Sequence, residues 1–138
     1  MKVMGFNFTK ISVERPEKMQ FDGKINANLE FTNADKTTLG TISSNEYLKL
    51  NFRYTISYQK NDPNVLFEGS LIVEVDPETI TETLKTWKKK QVPEKIRIPL
   101  LNSIMYKCNL RALQLEEEVN LPPHFRLPRV SAQPQKPN

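Results

Sequence analysis

Strict alternation between residues 48 and 59 constrains the fold more than any other feature of the sequence. The residues of one parity are apolar: Leu48, Leu50, Phe52, Tyr54, Ile56 and Tyr58. Those of the other parity are polar: Lys49, Asn51, Arg53, Thr55, Ser57 and Gln59. A period of two over this length is typical of a β-strand with one buried face, whereas a helix would repeat every three or four residues. The chain therefore needs a sheet and a second layer that covers it.

Two neighbouring segments, residues 24–31 and 65–75, alternate in the same way and predict further strands. The sequence Asn61-Asp62-Pro63-Asn64 is a turn signal, because Asp precedes a proline that fixes φ. It predicts an antiparallel hairpin between residues 48–59 and 65–75. The polar residues 33–45 are expected to form a turn-like connection.

The first strand runs from Phe6 to Val13, and its apolar parity changes halfway along. This change predicts a bulge near Thr9-Lys10. Arg15-Pro16 ends the strand. The connection that follows contains Met19 and Phe21, where polar residues are the usual expectation, and these two side chains either plug the end of the sheet or offer apolar surface to a partner.

The second half predicts two helices. Asp76-Pro77-Glu78 supplies an N-cap, a proline at N1 and an acid in the first turn. The first helix is expected to end near Gln91, since Val92 precedes Pro93. Pro99 is expected to open the second helix, whose apolar residues recur in steps of three and four: Ile98, Leu101, Met105, Cys108, Ala112 and Leu115. Leu100, Ile104, Leu110 and Leu113 widen this stripe, so the helix is expected to bury more than one side. The predicted fold class is α+β, a four-stranded antiparallel sheet followed by two helices, with the second helix as its main cover.

The length of 138 residues fits one domain. We expect that domain to span residues 1–130, including an extended, proline-fixed segment after Asn120. Residues 131–138 are expected to form a flexible polar tail. The first residues lack the continuous apolar core of a signal peptide, and no run is long enough to span a membrane.

The residue inventory argues against an enzyme. His124 is the single histidine and Cys108 the single cysteine, and the four glycines form no phosphate-binding loop. We therefore expect no metal, no cofactor and no disulfide. His124 is expected to be structural or exposed, and Cys108 to be buried. A free cysteine favours a reducing compartment, so a cytoplasmic location is expected.

The net charge is +4 and the isoelectric point about 9.2, which is below the charge density of a dedicated DNA-binding protein. A basic nucleic-acid-binding or structural interaction module remains the alternative to a protein-binding function. The runs Lys88–Lys90 and Glu116–Glu118 are both expected to be solvated helix ends. The narrow stripe of Ile80, Leu84 and Trp87 predicts either a second core helix or an oligomer interface.

Four segments resemble the SecB family of protein-export chaperones, in the same order and on the same elements. The strand Phe8-Thr9-Lys10-Ile11-Ser12-Val13-Glu14-Arg15-Pro16 is similar to the family's opening Ile-Ser-Phe-Glu-x-Pro strand, and Leu66-Phe67-Glu68 to its Leu-Cys-Glu. Ile98-Pro99 resembles the Phe-Pro before its last long helix. The segment from Pro123 to Val130 resembles its closing Pro-x-Leu-x-Leu-x-Pro-Val, with the second proline displaced by one. Together these segments span about residues 6–130.

The resemblance implies a dimer of dimers that holds unfolded or unstructured polypeptides in hydrophobic grooves without ATP. The groove candidates are Met19, Phe21, Trp87, Val92 and Ile96. The oligomer-interface candidates are Ile80, Leu84 and Trp87. The family's acidic contact surface for the SecA motor corresponds to Glu14 and Glu68.

This sequence departs from the family at two features. Lys10 stands at a position that is acidic in the family, and the chain is basic, with a tail that is neutral to basic. Both features weaken the expectation of SecA docking. They favour a divergent SecB-like chaperone of the kind that guards an antitoxin over one that serves general export.

Overall fold

The computed structural model describes residues 1–21, 23–40, 45–59 and 62–132 of the chain. Four strands precede two helices: β1 (Lys2–Val13), β2 (Asn26–Thr38), β3 (Glu46–Ser57), β4 (Val65–Glu74), α1 (Pro77–Trp87) and α2 (Glu94–Glu118). The strands form one sheet in the order β1-β4-β3-β2, and every neighbouring pair is antiparallel. The predicted fold class is confirmed, including the hairpin between β3 and β4.

The core lies between one face of this sheet and the helices. All six apolar side chains of the alternating β3 segment are buried, as predicted. From the helical layer, Leu100, Ile104, Cys108 and Ala112 of α2 are fully buried and belong to the same cluster. Ile80 of α1 joins them. Both helices therefore cover the apolar face of the sheet.

β1 contains the predicted bulge. The pairing of β1 with β4 shifts between Phe8 and Lys10, so that one extra residue opposes the partner strand. A second shift, between Val3 and Gly5, was not anticipated from the sequence. Because the bulge between Phe8 and Lys10 changes the parity, Phe6 and Phe8 before it and Val13 after it all pack against the same core cluster.

The prediction of a turn-like connection at residues 33–45 is wrong for residues 33–38, which continue β2. The register of β2 against β3 shifts between Phe31 and Asn33. This bulge switches the parity, so that Ala34 lies opposite Leu50 and is buried while its neighbours are exposed. A polar sequence is ordinary here, because β2 is an edge strand of the sheet. Residues 41–44 of that prediction lie outside the described residues.

The predicted turn at residues 61–64 falls partly outside the described residues, but Asn64 is buried and well connected. Its Oδ1 accepts from the Tyr58 backbone N–H at 3.0 Å, and its Nδ2 donates to the Glu14 carbonyl at 3.1 Å. The Glu14 N–H in turn donates to the Asn64 carbonyl at 2.7 Å. One asparagine therefore ties the end of β1 to the β3–β4 hairpin.

α1 begins as predicted and ends earlier than predicted. Asp76 is the N-cap, and its carboxylate accepts from the Thr79 N–H at 3.2 Å and the Thr79 hydroxyl at 2.6 Å, hydrogen bonds that lower the pKa of Asp76. The helix stops at Trp87 rather than near Gln91. Lys90 adopts a left-handed φ of 59°, which closes a turn directly after Trp87.

α2 begins five residues before the predicted start, so Pro99 lies inside the helix. The buried residues combine members of the predicted stripe with Leu100 and Ile104, which were expected to widen it: Ile96, Leu100, Ile104, Cys108, Ala112, Leu115 and Glu116. Ile98 and Met105 are exposed. The sequence offers two apolar rows, and the row with regular four-residue steps packs on the sheet. Cys108 is buried, as predicted.

Gly69 of β4 generates a stability prediction, because a side chain there has no room. A Cβ atom would contact the Asn7 carbonyl oxygen of β1 and approach Phe52 Cζ to 2.7 Å. We expect Gly69→Ala to destabilise the fold by about 1–3 kcal/mol, as overpacking does. Gly5→Ala in β1 is the matched control, since nothing lies within 4 Å of its added Cβ. Urea unfolding compares the two variants, and equal effects would contradict the packing described here.

Candidate functional site

A cleft of about 500 Å³ lies where the β2 edge meets the end of α1 and the start of α2. Its apolar wall is formed by half-buried or buried side chains from all three elements and the loop between the helices: Leu29, Phe31, Trp87, Val92 and Leu101. Its polar rim is formed by Glu30, Thr32, Lys90, Gln91 and Arg97. We call this the Trp87 cleft. It is an open apolar trough with cations on its rim.

The turn that ends α1 positions the rim of the Trp87 cleft. The Lys89 N–H donates to the Thr86 carbonyl at 3.0 Å, and the Lys90 N–H donates to the Trp87 carbonyl at 2.7 Å. With Lys90 in the left-handed region, its Nζ lies 5.0 Å from the centre of the Trp87 ring. A cation over an aromatic face is attracted by the ring quadrupole. The turn after α1 therefore holds Trp87 of the apolar wall and Lys90 of the polar rim in contact with each other.

The apolar surface of the cleft continues along α2. Leu101 lines the cleft, and Ile98 and Met105 lie three and four residues from it, so the three share one side of the helix. Tyr106 and Leu110 are two further exposed apolar residues of α2. The exposed fractions are 48% for Ile98, 39% for Met105, 69% for Tyr106 and 53% for Leu110. We call these five residues the α2 apolar strip.

The sequence-predicted groove residues separate into two places. Trp87 and Val92 line the Trp87 cleft, although Val92 is itself buried, and Ile96 is buried in the core beneath α2. Met19 and Phe21 lie elsewhere, beside Tyr58 and Asn64. Phe21 is exposed, with its ring centre 5.7 Å from that of Tyr58, and Met19 packs against the core.

The predicted interface residues of α1 are mostly turned towards the sheet. Ile80 is buried in the core cluster, and Leu84 and Trp87 are half-buried and pack against it. α1 therefore acts as a second core helix within one chain, with Trp87 the member that also reaches a surface cleft. Their role in an oligomer interface stays a prediction.

The sheet face turned away from the helices carries a row of alternating charge. Lys10 of β1 lies opposite Glu68 of β4, Glu68 opposite Arg53 of β3, and Arg53 opposite Glu30 of β2. Arg53 Nε and Glu68 Oε1 are 3.7 Å apart. Glu68 is thus flanked by two cations, while Glu14 is exposed at the end of β1. The predicted contact of Glu14 and Glu68 with a motor protein stays a prediction.

A buried polar network fastens the segment after α2, and the sequence did not anticipate it. Glu116 is not a solvated helix end: its side chain is 1% exposed and contacts that of His124, which is 5% exposed. His124 Nδ1 lies 2.5 Å from Glu116 Oε1, and Nε2 lies 2.8 Å from Asn109 Oδ1. The Tyr54 hydroxyl donates to the same Asn109 oxygen at 2.6 Å. His124 is structural, the first of the two roles expected for it.

Asn109 Oδ1 can only accept, so His124 Nε2 carries a proton. The Nδ1–Oε1 contact then holds one further proton, on either the imidazole or the carboxyl group. In both arrangements the Glu116–His124 pair is neutral as a unit, which suits its burial. The sequence signal was the helical register: Glu116 follows Cys108 and Ala112 at four-residue steps on the buried face.

The surroundings of the network are apolar enough to raise the pKa values of neighbouring acidic groups. Burial, together with the nearby Cys108 and Glu116, raises the pKa of Tyr54 to about 12. Burial raises the pKa of Cys108 to about 12 as well, so its thiol stays protonated at neutral pH. The pKa of Tyr58 is also raised, by burial first and Glu116 second. The Tyr58 hydroxyl donates to the Pro122 carbonyl, which adds a second anchor for the segment.

Arg15 provides a third anchor at the end of α2. Its guanidinium donates to the carbonyl oxygens of Val119 and Asn120, the groups that a helix C-terminus leaves unpaired. Asn120 has a left-handed φ of 57°, and the Leu121 N–H donates to the Glu116 carbonyl at 2.8 Å. The chain thereby reverses onto the end of the sheet.

Neither described helix combines the length and the hydrophobicity that a membrane span requires. Within the described ranges, no three histidine, cysteine, aspartate or glutamate side chains are grouped so that they could hold a metal ion.

No family model matches the sequence, and no curated protein matches it at a significant level. Among solved structures, the chain is similar to the Mycobacterium tuberculosis Rv1957 SecB-like chaperone in complex with a ChAD peptide from the Rv1956 HigA1 antitoxin. The identity is 14% and the TM-score 0.46, with 97% of this chain and 92% of that chain covered. So distant a likeness assigns no role to any residue of this chain.

The network predicts a strong dependence of stability on both members of the buried pair. Glu116→Leu leaves the His124 imidazole buried without its main partner, and we expect a loss of about 3–5 kcal/mol in the free energy of unfolding. The double variant Glu116→Leu/His124→Leu should lose less than the sum of the two single variants, because it leaves no orphaned partner. Urea unfolding of all four proteins gives the coupling energy. Additive losses would mean that the pair does not interact as described.

Proposed function

We propose that this chain is an ATP-independent chaperone that holds non-native polypeptides on exposed apolar surface. The observation that carries the proposal is the Trp87 cleft together with the exposed Ile98 and Met105, which share the Leu101 side of α2. Exposed apolar side chains grouped beside an apolar cleft are typical of interaction sites. Burial of apolar area on binding contributes about 25 cal/mol per Å², without directional requirements. This suits clients that share no sequence.

Two physical features support a binding role for this surface. The cleft is rimmed by Lys90 and Arg97, and charge at the rim of an apolar surface limits self-association. The surface also rests on rigid elements, since Leu101 is on a long helix whose other side is locked into the core. A preformed surface loses little conformational entropy on binding, so more of the contact energy remains as affinity.

We further propose that the chain assembles with copies of itself, as a dimer of dimers, and that its client is either an exported protein or a specific partner such as an antitoxin. β1 and β2 are the two edge strands of the sheet, and edge pairing is a common route to oligomers. The flanking of Glu68 by Lys10 and Arg53 neutralises the acidic surface that a motor contact would need. This favours a dedicated client over motor-coupled export.

The alternative of a nucleic-acid-binding module has weaker support. Such a module stacks bases on exposed aromatic side chains beside cations. Phe52, Tyr54 and Tyr58 are buried, and the outer face of the sheet carries acids as well as bases. Trp87 with Lys90 is the one described aromatic and lysine pair in the cleft that fits the alternative.

The chaperone proposal predicts loss of activity when the apolar surface is made polar. Trp87→Ser in the cleft should weaken suppression of aggregation of a chemically denatured client, measured by light scattering without nucleotide, and Phe21→Ser tests the separate groove candidate beside Tyr58. Ile11→Ser is the matched control, because Ile11 is as exposed as Phe21 but lies on the opposite edge strand from the cleft. Thermal unfolding identifies variants that are merely less stable. Full activity in both cleft and Phe21 variants would contradict the assignment of the surface.

The assembly proposal predicts a stable oligomer, most simply a tetramer. Multi-angle light scattering at micromolar concentrations should give about four times the mass of the chain. A clean monomer over the whole concentration range would contradict the proposed assembly, while leaving a role for the cleft in client binding open to the aggregation assay.

A further inference from the structure

We infer that the Trp87 cleft prefers extended apolar segments that also carry acidic residues. This rests on the proposed function and narrows it to a client chemistry. The inference comes from the charges around the cleft, which are mostly positive. A binding site for purely apolar segments would need no excess of one sign. The apolar wall takes the hydrophobic side chains, and the basic rim takes the carboxylates beside them.

Cations outnumber acids around the cleft. Lys90 and Arg97 line it, and Lys88 and Lys89 are exposed on the same turn. Glu30 is the one acid among the lining residues. It lies opposite Arg53, on the neighbouring strand.

The cations of the rim are not neutralised by the neighbouring acids. The nearby ion pair joins Lys95 to Glu82 at 3.5 Å, and it leaves Lys90 and Arg97 out. In the part of the chain that the structure describes, neither of these two forms an ion pair with a carboxylate. The rim therefore presents unpaired positive charge beside apolar surface, which a carboxylate of a bound segment can complete.

The backbone conformation of Lys90 strengthens the inference. Its φ of 59° lies in the left-handed region, where glycine is the favoured residue at the end of a helix. A lysine at this position strains the backbone and places its amine over the face of Trp87, at the edge of the cleft. Strain of this kind is concentrated at functional sites. Glycine would end the helix with less strain, but it would remove the cation.

The edge strand sets the form of the ligand. β2 pairs on one side only, with β3, so its other edge is open along Leu29 to Phe31 at the floor of the cleft. Extended segments present alternate side chains to opposite faces. A segment lying along this edge would direct every second side chain to the helix side of the sheet, where the apolar wall and the two cations lie. The intervening side chains would point to the outer face, beside Glu30 and Thr32. Apolar and acidic residues at the helix-side positions match that geometry.

The test compares three fluorescein-labelled peptides by anisotropy with the full-length chain at low salt. One combines glutamate with leucine and phenylalanine on the same face of an extended chain, the second replaces each glutamate by glutamine, and the third replaces it by lysine. We expect the acidic peptide to bind most tightly and the basic one most weakly. The preference should fall as salt rises towards physiological strength, where the screening length is about 8 Å.

Lys90→Gly is the decisive variant, because it separates charge from folding. It relieves the left-handed strain, so the melting temperature should not fall, yet the affinity for the acidic peptide should drop about two- to fivefold, the range of an exposed ion pair. Arg97→Gln should have a similar effect. Asn120→Gly is the matched control: it relieves the same kind of strain at the end of α2 without changing charge. It should leave peptide affinity unchanged.

The outcomes distinguish this inference from the proposed function. Equal binding of all three peptides, with aggregation still suppressed, would overturn the acidic preference and leave the chaperone role standing. No peptide binding together with no loss of suppression in Trp87→Ser would overturn both the acidic preference and the role of the cleft in client binding, and absence of any suppression by the unmodified chain would overturn the chaperone role itself. Dissociation of the oligomer by Trp87→Ser would show that a second copy occupies the cleft, and tighter binding of single-stranded DNA than of the acidic peptide would show a nucleic-acid site. Either result would also overturn the inference.

Discussion

The need to cover one face of the sheet governs the rest of this structure. β3 presents five apolar side chains on that face, with Tyr58 directly after it, and α2 covers them with a row at regular four-residue steps, from Ile96 through Leu100, Ile104 and Cys108 to Ala112. A helix has only one side available for a flat sheet. α2 carries apolar residues on more than that side, so covering the core leaves Ile98, Met105 and Leu110 in solvent. The binding surface is the remainder of the same helix that holds the fold together.

The elements that follow a local period could be predicted from the sequence. The alternation of β3, the parity change in β1 and the cap at Asp76 each depend on neighbouring residues, and the structure confirms all three. The features that were missed depend on partners far along the chain. Residues 33–38 are polar, yet they form a strand because β3 offers them hydrogen bonds and Ala34 finds Leu50. Neither the pairing with β3 nor the position of Ala34 opposite Leu50 can be recognised from the local composition.

In the candidate site, too, single residues could be selected from the sequence, whereas their contacts with distant residues could not. Trp87 could be selected from the sequence as an aromatic residue on a narrow stripe, but its partners Leu29 and Phe31 come from a strand more than fifty residues away. Two apolar rows on α2 could be counted, but not ranked, because the choice is made by the shape of the sheet. The partnership of Glu116 with His124 was equally hidden. A charged residue near a helix end is usually solvated, and here the reversal of the chain after Asn120 brings an imidazole onto it.

The charged row across the outer face of the sheet also has a consequence for folding. Apolar alternation excludes a slip of one residue between strands, since such a slip would turn the core side chains to solvent. Apolar alternation does not exclude a slip of two residues, because every side chain then keeps its original face of the sheet. Such a slip between β3 and β4 would separate Arg53 from Glu68 and set Glu68 opposite Asn51 or Thr55 instead. The charged row therefore favours the native register over the other alignments that keep the apolar side chains buried. It consists of Lys10, Glu68, Arg53 and Glu30.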